Sequence, residues 1–410
     1  MLPLGDAQKH VTDRVVPLPA VSVSTAAARG LVLAAAVVAR EAVPPFANSA
    51  MDGYAVVAAD TTGASEGVPV VLPVVAEVAA GHPASRALQP GEAMRIFTGA
   101  PVPHGADAIV VVEQTERLEG GAVVAIRAAA TAGDHIRPAG DDVAVGDELF
   151  APGEQLTPGH LGVLATIGEL RVSAHPRPRV GVLSTGDELV ADGRPLEPGQ
   201  IRESNGRTLL ALLAEDGFDA VDLGLVPDDD AAITAGIEAA VMGCDAVVTT
   251  GGVSMGDIDL VRVVLDRIGD MRWMQIAIRP AKPFAFGQVG EAGTPVFGLP
   301  GNPVSSMVSY ELLARPALRR MAGHPEGCWH RPAVAAVAAE PLRRRRDGKL
   351  HLARVVGERD TDGVLRVRSA GGQGSHHLTA MARASGLALL PDGDGVDAGG
   401  AVRVLLTGEV

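Results

Sequence analysis

Four stretches of the chain share one pattern, in which a short, β-branched apolar run ends in a polar loop. They span residues 179–189, 219–230, 244–259 and 294–306, and their loops contain Gly, Pro, Ser, Thr and carboxylates. A helical pattern follows each loop, and this repeat is typical of a parallel sheet with crossover helices. The carboxyl ends of such strands meet at one edge, where open α/β folds bind ligands. The pattern therefore predicts one site built from four loops.

The helical spacing of apolar residues predicts the crossover helices. They are expected at residues 204–215, 229–241, 258–268 and 303–321. Towards the C-terminus the pattern changes to strands, expected at residues 332–337, 350–356, 364–368 and 401–406. One short helix is expected there, over residues 378–383. This last part therefore predicts a small β barrel or sandwich.

The N-terminal part of the chain has a mixed pattern. An extended piece is expected first, then a buried helix over residues 31–38 that begins after Ser24 or Thr25 and ends near Pro44. Thr157 and Pro158 predict the start of a second, short helix. Residues 172–178 are expected to form a linker.

Between these helical segments, short apolar runs alternate with turn signals and predict an all-β insert. The runs lie at residues 68–75, 93–97, 108–112 and 123–126. The fold class is therefore multidomain, α/β plus β. The predicted domains are residues 1–46 with 144–175 (discontinuous, mixed), 47–143 (β-rich), 176–326 (α/β) and 327–410 (C-terminal β).

Composition and charge restrict the partners and the setting of this chain of 410 residues. The excess of 49 Asp and Glu over 35 Lys and Arg gives a net charge of −14, which argues against binding to nucleic acid or to an anionic membrane. No stretch has the length and apolarity of a transmembrane helix. Cys244 and Cys328 are expected to be free, buried thiols, which favours a reducing, cytoplasmic setting.

Two of the loops have a composition that suits a phosphate group or a flat ligand. In residues 249–257, Gly251, Gly252 and Ser254 follow an apolar strand, so backbone N–H groups and a helix N-terminus could bind an anion. A tight turn without a ligand is an equal alternative. Residues 299–306 contain Pro300 and Pro303, which predict a rigid turn before a helix.

Carboxylates are the most informative part of these loops. The first loop carries Asp187 and Glu188, the second Asp228 to Asp230, and the third Asp257 and Asp259. So many acids beside an anion site require a bridging cation, and oxygen ligands from short loops suit Mg²⁺. The alternative for Asp228 and Asp257 is that each caps a helix.

Positive charge comes from a few separate positions. Arg279 and Lys282 lie in one loop, and Arg137 is a third candidate. The basic run at residues 343–346 is expected to be a solvated turn. His376 and His377 lack further ligands at metal spacing, so they are expected not to bind a metal.

Taken in order along the chain, the motifs resemble one known family. PPFANSAMDGYAV at residues 44–56 and RIFTGAPVPHGADAIVVVE at residues 95–113 precede STGDEL, TTGGVSMGDID, RPAKPFAFG and LPGNPVS. Together they closely resemble the molybdopterin molybdotransferases, that is MoeA and the gephyrin E-domain. The resemblance implies a doubly wound, MogA-like molybdopterin-binding domain, with a discontinuous N-terminal domain, a β insert and a small C-terminal β domain. It also implies an elongated homodimer whose cleft lies between the α/β domain of one subunit and the β insert of the other.

The activity that the resemblance implies is insertion of molybdenum into a pterin. With Mg²⁺, family members cleave adenylylated molybdopterin, place molybdate on its dithiolene sulfurs and release AMP. The implied protein partners are the molybdopterin adenylyltransferase and the apo-molybdoenzymes. A non-catalytic scaffold of the same fold and a tungsten-inserting paralogue are the alternatives.

The resemblance also assigns roles to individual residues. The implied catalytic residues are Asp52, Thr98, Asp142, Glu188, Asp228 and Asp259, and the last three are also the implied metal ligands. The implied substrate-binding residues are Arg137, Gly251, Gly252, Ser254, Arg279, Lys282, Pro300, Pro303 and Ser375. Two positions near the cations depart from the family pattern, since Lys is common at Arg279 and Gly at Ala281.

Overall fold

The computed structural model describes residues 1–252 and 260–408 of the chain. Its N-terminal elements are α1 (Leu4–Thr12), β1 (Val21–Ser24), β2 (Val32–Leu33) and β3 (Val37–Val38). Helix α1, which the sequence pattern did not predict, buries Ala7 and Val11 against the apolar core of the α/β region.

The β-rich insert follows and forms a mixed sheet with two short flanking strands. Its elements are β4 (Asn48–Ser49), β5 (Gly53–Val56), β6 (Val70–Val78), β7 (Ala93–Ile96), β8 (Ala108–Val111), β9 (Thr115–Leu118), β10 (Val123–Ile126) and β11 (Ile136–Arg137). The six-stranded sheet has the order β8-β5-β7-β6-β10-β9. All four predicted apolar runs form strands here.

The chain then returns to the N-terminal elements through β12 (Glu148–Phe150), α2 (Pro158–Thr166) and β13 (Arg171–His175). Helix α2 begins as predicted, because Thr157 and His160 form a reciprocal capping box. Strand β13 pairs with both β1 and β2, so the prediction of a linker was wrong for residues 172–175. Residues 176–178 do connect β13 to the next strand.

The predicted helix over residues 31–38 is also absent, because this segment pairs as strands. Strand β2 pairs with β13 and β3 pairs with β12. From Val37 to Arg40 the residues are alternately buried and exposed, which is the period of a strand. Long-range pairing therefore overrides the helical propensity of its alanines.

Among its described residues the α/β region contains nine strands and five α-helices, and a π-helical segment (Tyr310–Ala314) joins the last two helices. They are β14 (Arg179–Thr185), β15 (Leu189–Val190), β16 (Ile201–Arg202), α3 (Asn205–Glu215), β17 (Asp219–Val226), α4 (Asp230–Gly243), β18 (Ala246–Thr250), α5 (Leu260–Ile268), β19 (Gly269–Gln275), β20 (Ile278–Arg279), β21 (Pro283–Val289), β22 (Thr294–Leu299), α6 (Pro303–Ser309) and α7 (Arg315–Met321). The main sheet has the order β17-β14-β18-β22-β21-β19. The first four strands are parallel, as predicted, and β21 and β19 add an antiparallel edge.

The C-terminal part is a small barrel. Its elements are β23 (Ala333–Ala338), β24 (Leu342–Arg343), β25 (Leu350–Arg359), β26 (Leu365–Ser369), α8 (Leu378–Arg383), β27 (Gly386–Leu390), β28 (Gly395–Val396) and β29 (Ala401–Leu406). Strands β25, β26, β23, β29 and β27 are neighbours in that order, and pairing of β27 with β25 closes the ring. Strand β20 of the α/β region joins this sheet beside β25.

A buried ion network lies where the α/β region meets the barrel. Arg315 Nε donates to Asp216 Oδ1 at 2.8 Å, and Arg331 Nε donates to Glu311 Oε1 at 2.8 Å. The Tyr310 hydroxyl also donates to Asp216, at 2.7 Å, and burial raises its pKa well above the usual range. Since Arg331 lies just before β23, the network ties the barrel to α3 and α7.

Two of the remaining expectations concern the whole chain. Both cysteines are free, as predicted, but Cys328 is exposed and Cys244 is only half-buried, so the prediction of two buried thiols was wrong. Within the described ranges, no helix combines the length and apolarity needed to cross a membrane.

Gly53 provides a test of the insert. A Cβ atom at this position would lie 2.1 Å from the carbonyl oxygen of Val110 on the neighbouring strand. We expect Gly53→Ala to lower the free energy of unfolding by about 1–3 kcal/mol, because backbone must move to admit the methyl group. Urea denaturation measures the change, and Gly67→Ala is the control, since nothing lies within 4 Å of a Cβ atom there. Equal stability of the two variants would contradict this account.

Candidate functional site

A cavity of about 850 Å³ opens at the carboxyl ends of the parallel strands. Its lining includes residues from all four of the β14, β17, β18 and β22 loops, as the strand pattern predicts. Of the residues assigned in advance, the lining contains Glu188, Asp228, Gly251, Gly252, Pro300 and Pro303. We call this space the acidic cavity.

Glycines shape the loops on the wall of the acidic cavity. Gly186 has a φ of +146°, and a Cβ atom there would lie 2.7 Å from the carboxylate of Glu188. Gly251 has a φ of +96°, and its Cβ atom would meet the carbonyl oxygen of Thr185 at 2.8 Å. Both positions favour glycine, because an L side chain would be strained at these φ values. At Gly251 it would also collide with the backbone of the neighbouring loop.

Asn205 joins two of these loops and was not predicted as a site residue. Its Nδ2 donates to Thr250 Oγ1 and to the carbonyl oxygen of Gly301, both at 2.8 Å. It therefore fixes the end of β18 against the turn before α6. The sequence did offer a signal for this role, because Asn205 is the first residue of the helix that follows the loop with Asp187 and Glu188.

The carboxylates of the acidic cavity act on one another. Burial raises the pKa of Asp228, and the charges of Asp187 and Glu188 raise it further. Asp228 does not cap α4, because Asp229 does so by accepting a hydrogen bond from the Ala232 N–H at 2.9 Å. Of the two predicted alternatives for Asp228, the structure therefore leaves it available to a ligand.

Asp259 and Ser254, which were assigned to this site, lie outside the described residues, as does Asp257. Within residues 1–252 and 260–408, no three His, Cys, Asp or Glu side chains are close enough to hold a metal ion by themselves. Glu188 and Asp228 are the two assigned metal ligands that the structure does bring to one cavity.

Four of the assigned residues lie in or beside the β insert instead. Asp52 accepts hydrogen bonds from the Thr98 backbone N–H at 2.8 Å and from its hydroxyl at 2.7 Å, and these bonds lower the pKa of the Asp52 carboxyl. Arg137 is exposed on β11, and Asp142 is exposed in the following turn. None of the four is among the described residues that line the acidic cavity.

Of the remaining assigned cations, Arg279 lines a second cavity, of about 530 Å³, between β20 and the barrel. We call it the arginine cavity. Its lining includes Arg279, Arg343, Arg344, Arg345, His351 and Arg354. Arg279 of β20 also lies 3.6 Å from the carboxylate of Asp347.

Two other assigned residues lie near these cavities without lining either. The Lys282 side chain is exposed, and its carbonyl oxygen accepts a hydrogen bond from the Ile276 N–H. The carbonyl oxygen of Ser375 accepts a hydrogen bond at 3.1 Å from the Val304 N–H in the first turn of α6.

The basic run at residues 343–346 is not a solvated turn throughout, as had been expected. The Arg344 side chain is 1% exposed and pairs with Asp347 at 3.0 Å and with Asp392 at 2.6 Å. Arg343 and Arg346 are exposed and pair with single aspartates. The prediction failed for Arg344 because one of its partners, Asp392, comes from a distant part of the chain.

Arg354 is a further cation that sequence reasoning missed. The residue is 1% exposed, and its Nε has no hydrogen-bond partner within the described chain. Burial lowers its pKa to about 10, and no nearby carboxylate of the described residues opposes that effect. A buried guanidinium without a counter-charge is costly unless an anion binds beside it. The strand pattern of residues 350–356 concealed this position.

The backbone conformation of Ala281 shows why glycine is common at this position in the family. It has a φ of +72°, in the left-handed region, and its side chain is buried. Glycine adopts this conformation without strain, so the structure accounts for the glycine that is common at this position.

The α/β sheet with a site at the carboxyl ends of its strands, a β-rich insert and a small C-terminal barrel define a class of multidomain α/β ligand-binding proteins. Family models match the chain in succession, namely the MoeA N-terminal region (domain I and II) at residues 2–168, a probable molybdopterin binding domain at 181–320, and the MoeA C-terminal region (domain IV) at 335–407. The chain belongs to the MoeA family.

Relatives and solved structures cover nearly the whole chain. Molybdopterin molybdenumtransferase 2 of Mycobacterium tuberculosis (strain ATCC 25618 / H37Rv) is 41% identical over 399 residues, which is 96% of each chain. The molybdopterin molybdenumtransferase of Haemophilus influenzae is 35% identical over 363 residues, 88% of this chain and 87% of its own. The crystal structure of a molybdopterin biosynthesis MoeA protein from Pyrococcus horikoshii has a TM-score of 0.82 and 31% identity, with 100% of both chains covered.

The raised pKa of Asp228 predicts a stabilising substitution. A carboxyl whose pKa rises on folding stabilises the fold below its ordinary pKa, and that contribution is lost as the pH rises through the raised value. At pH 7 the ionised Asp228 therefore opposes folding. We expect Asp228→Asn to raise the free energy of unfolding by up to about 1 kcal/mol at pH 7, since water screens these charges. The gain should vanish in acid, below the ordinary aspartate pKa.

Chemical denaturation at several pH values, in buffer without divalent cations, measures this effect. Asp229→Asn is the matched control, because asparagine caps a helix as well as aspartate does. If Asp228→Asn were less stable than the parent at neutral pH, this account of burial and charge repulsion at Asp228 would be wrong.

Proposed function

We propose that the protein is a molybdopterin molybdenumtransferase, which inserts molybdate into adenylylated molybdopterin and releases AMP. One observation carries the proposal, namely that an acidic cavity and an arginine cavity lie on the two sides of one loop, residues 371–377. His376 of this loop lines the first cavity, and Gln373 and Gly374 line the second. The reaction has two substrates, a pterin that carries phosphate and the tetrahedral oxyanion molybdate. Each needs its own binding environment. The cytoplasm, where thiols stay reduced, suits the two free cysteines.

Magnesium fits the donor set of the acidic cavity. Glu188 and Asp228 offer oxygen ligands. Burial raises the pKa of Asp228, and the negative charges of Asp187 and Glu188 raise it further, so a cation would find favourable charge here. Mg²⁺ keeps several waters and binds one or two carboxylates together with substrate phosphate, so two described carboxylates are enough. When bound, it would neutralise charge on the phosphates. Asp259 would be a third ligand.

The acidic cavity also supplies positioning groups and a proton carrier. The backbone of Gly251 and Gly252 can approach a phosphate closely, and the Pro300 to Pro303 turn gives a rigid wall for a flat pterin. Burial raises the pKa of Asp228, so this carboxyl holds a proton more readily than an exposed aspartate does. A raised pKa suits an acid–base group. The Asp228 carboxyl could deliver protons so that an oxo group of molybdate leaves as water.

The arginine cavity would hold molybdate before transfer. Arg279 and the buried Arg354 offer charge-assisted hydrogen bonds to a tetrahedral oxyanion. Arg279 has a planar, forked donor set where family members commonly have lysine, so it would grip two oxygens of the anion at once. Lys282 and Arg137 would add positive charge from the edges of the cleft.

A second subunit would complete the site in this proposal. Asp52, Thr98, Arg137 and Asp142 lie on or beside the β insert and do not line the acidic cavity of their own chain, as far as the chain is described. In a homodimer with two-fold symmetry, each insert would contribute these groups to the partner's cavity. The molybdopterin adenylyltransferase would deliver the substrate, and apo-molybdoenzymes would accept the product.

Release of AMP is the direct test. With adenylylated molybdopterin, Mg²⁺ and molybdate, we expect AMP release that Glu188→Gln reduces by about 10²-fold or more, because the amide is a poor ligand for a cation. Glu291→Gln removes an exposed carboxylate elsewhere in the chain and should have no effect. If the parent protein released no AMP, the proposal would be wrong. Replacing molybdate with tungstate in the same assay tests the tungsten alternative.

Mixing two inactive variants tests the shared site. Asp142→Asn and Glu188→Gln alter residues that would come from different subunits. If the two are unfolded and refolded together, half of the dimers are mixed and each has one intact site, so about a quarter of the activity should return. A site within one chain would leave the mixture inactive, and each variant refolded alone is the control.

A further inference from the structure

The 371–377 loop separates the two cavities and is held from both sides. At one end, the carbonyl oxygen of Ser375 accepts the hydrogen bond from Val304 in α6, next to the acidic cavity. At the other end, the loop wraps around Arg354 of β25, next to the arginine cavity. Whatever fixes the loop therefore fixes one wall of each cavity.

The side chain of Gln373 makes four hydrogen bonds within and beside this loop. Its Oε1 accepts from the Arg354 N–H at 2.9 Å, and its Nε2 lies 3.0 Å from the Arg354 carbonyl oxygen. The same Nε2 lies 3.1 Å from Ser369 Oγ and 3.0 Å from the Gly371 carbonyl oxygen. The β25–β26 pairing runs only from Val355 to Arg359. On that side, Arg354 is bonded by the Gln373 amide and, through its carbonyl oxygen, by the Ala370 N–H at 3.0 Å.

Arg354 in turn binds the loop through its guanidinium. Its Nη2 donates to the carbonyl oxygens of Gly372 and Gly374, at 3.0 and 3.1 Å. These bonds use one nitrogen of the guanidinium and set the plane of the group. Nε stays without a partner in the described chain, although it is buried. The loop thus orients the cation without neutralising it.

We propose that Gln373 is a positioning residue for oxyanion binding, which holds Arg354 and the loop in the geometry that the anion requires. This inference rests on the proposed function in one respect, namely that molybdate is the anion of the arginine cavity. Gln373 itself acts through Arg354. Preorganisation of this kind increases affinity, because the anion need not order the cation when it binds.

Binding of sodium molybdate to the full-length protein, measured by titration calorimetry, tests the inference without turnover. Gln373→Met keeps the length of the side chain and removes its hydrogen bonds. We expect at least about tenfold weaker binding, which corresponds to the loss of about 1.4 kcal/mol. Gln155→Met is the matched control, because it removes an exposed glutamine bond to Gly30 far along the chain. Unchanged affinity of Gln373→Met, or a parent protein that does not bind molybdate, would overturn the inference.

A second variant and a second readout separate positioning from folding. Gln373→Glu keeps the acceptor for the Arg354 N–H but loses the donated bonds, so it should also weaken binding, and equal affinity would count against the inference. In the AMP assay, Gln373→Met should raise the half-saturating molybdate concentration about tenfold and leave kcat, the rate constant at saturating molybdate, unchanged. A lowered kcat would contradict positioning. A parent that binds molybdate but releases no AMP would refute the proposed function alone.

Discussion

The parallel pairing of β17, β14, β18 and β22 is the constraint on which the rest of the molecule depends. Because these strands share one direction, their loops must leave the sheet at one edge. The carboxylates are thereby concentrated at one edge, where burial raises the pKa of Asp228 and the charges of Asp187 and Glu188 raise it further. Nearby elements relieve this crowding only partly, since Asn205 ties the loops together but adds no charge. The topology of the sheet thus gathers negative charge at the acidic cavity.

Most of the fold could be predicted from the sequence, because local pattern and tertiary structure agree in the strands and crossover helices. The failures occurred where they disagree. The alanine-rich segment at residues 31–38 has helical propensity, but its partners β12 and β13 lie more than a hundred residues away in the chain. Helix α1 was missed because its polar sequence, LGDAQKHVT, has only a narrow apolar stripe. The domain boundaries stay a prediction.

The residues of the candidate site also fall into those that local sequence predicts and those that it does not. Glu188, Asp228 and the glycines could be predicted because each follows a strand directly. Arg344 and Arg354 could not, since the burial of an arginine depends on partners that come together only in the closed barrel. The roles assigned to Asp52, Thr98 and Asp142 came from resemblance alone, because nothing in their local sequence points to a second subunit.

The pairing of β20 with β25 has a consequence for how the chain can be divided. Ile278 and Arg279 pair with Leu350 and His351 as parallel strands, so a cation-bearing segment of the α/β region is completed by the barrel. Excising the barrel would expose the backbone groups of β20 and release Arg279 from Asp347. The barrel is therefore not structurally independent of the α/β region. A truncated α/β fragment would keep most of the lining of the acidic cavity and lose most of the lining of the arginine cavity.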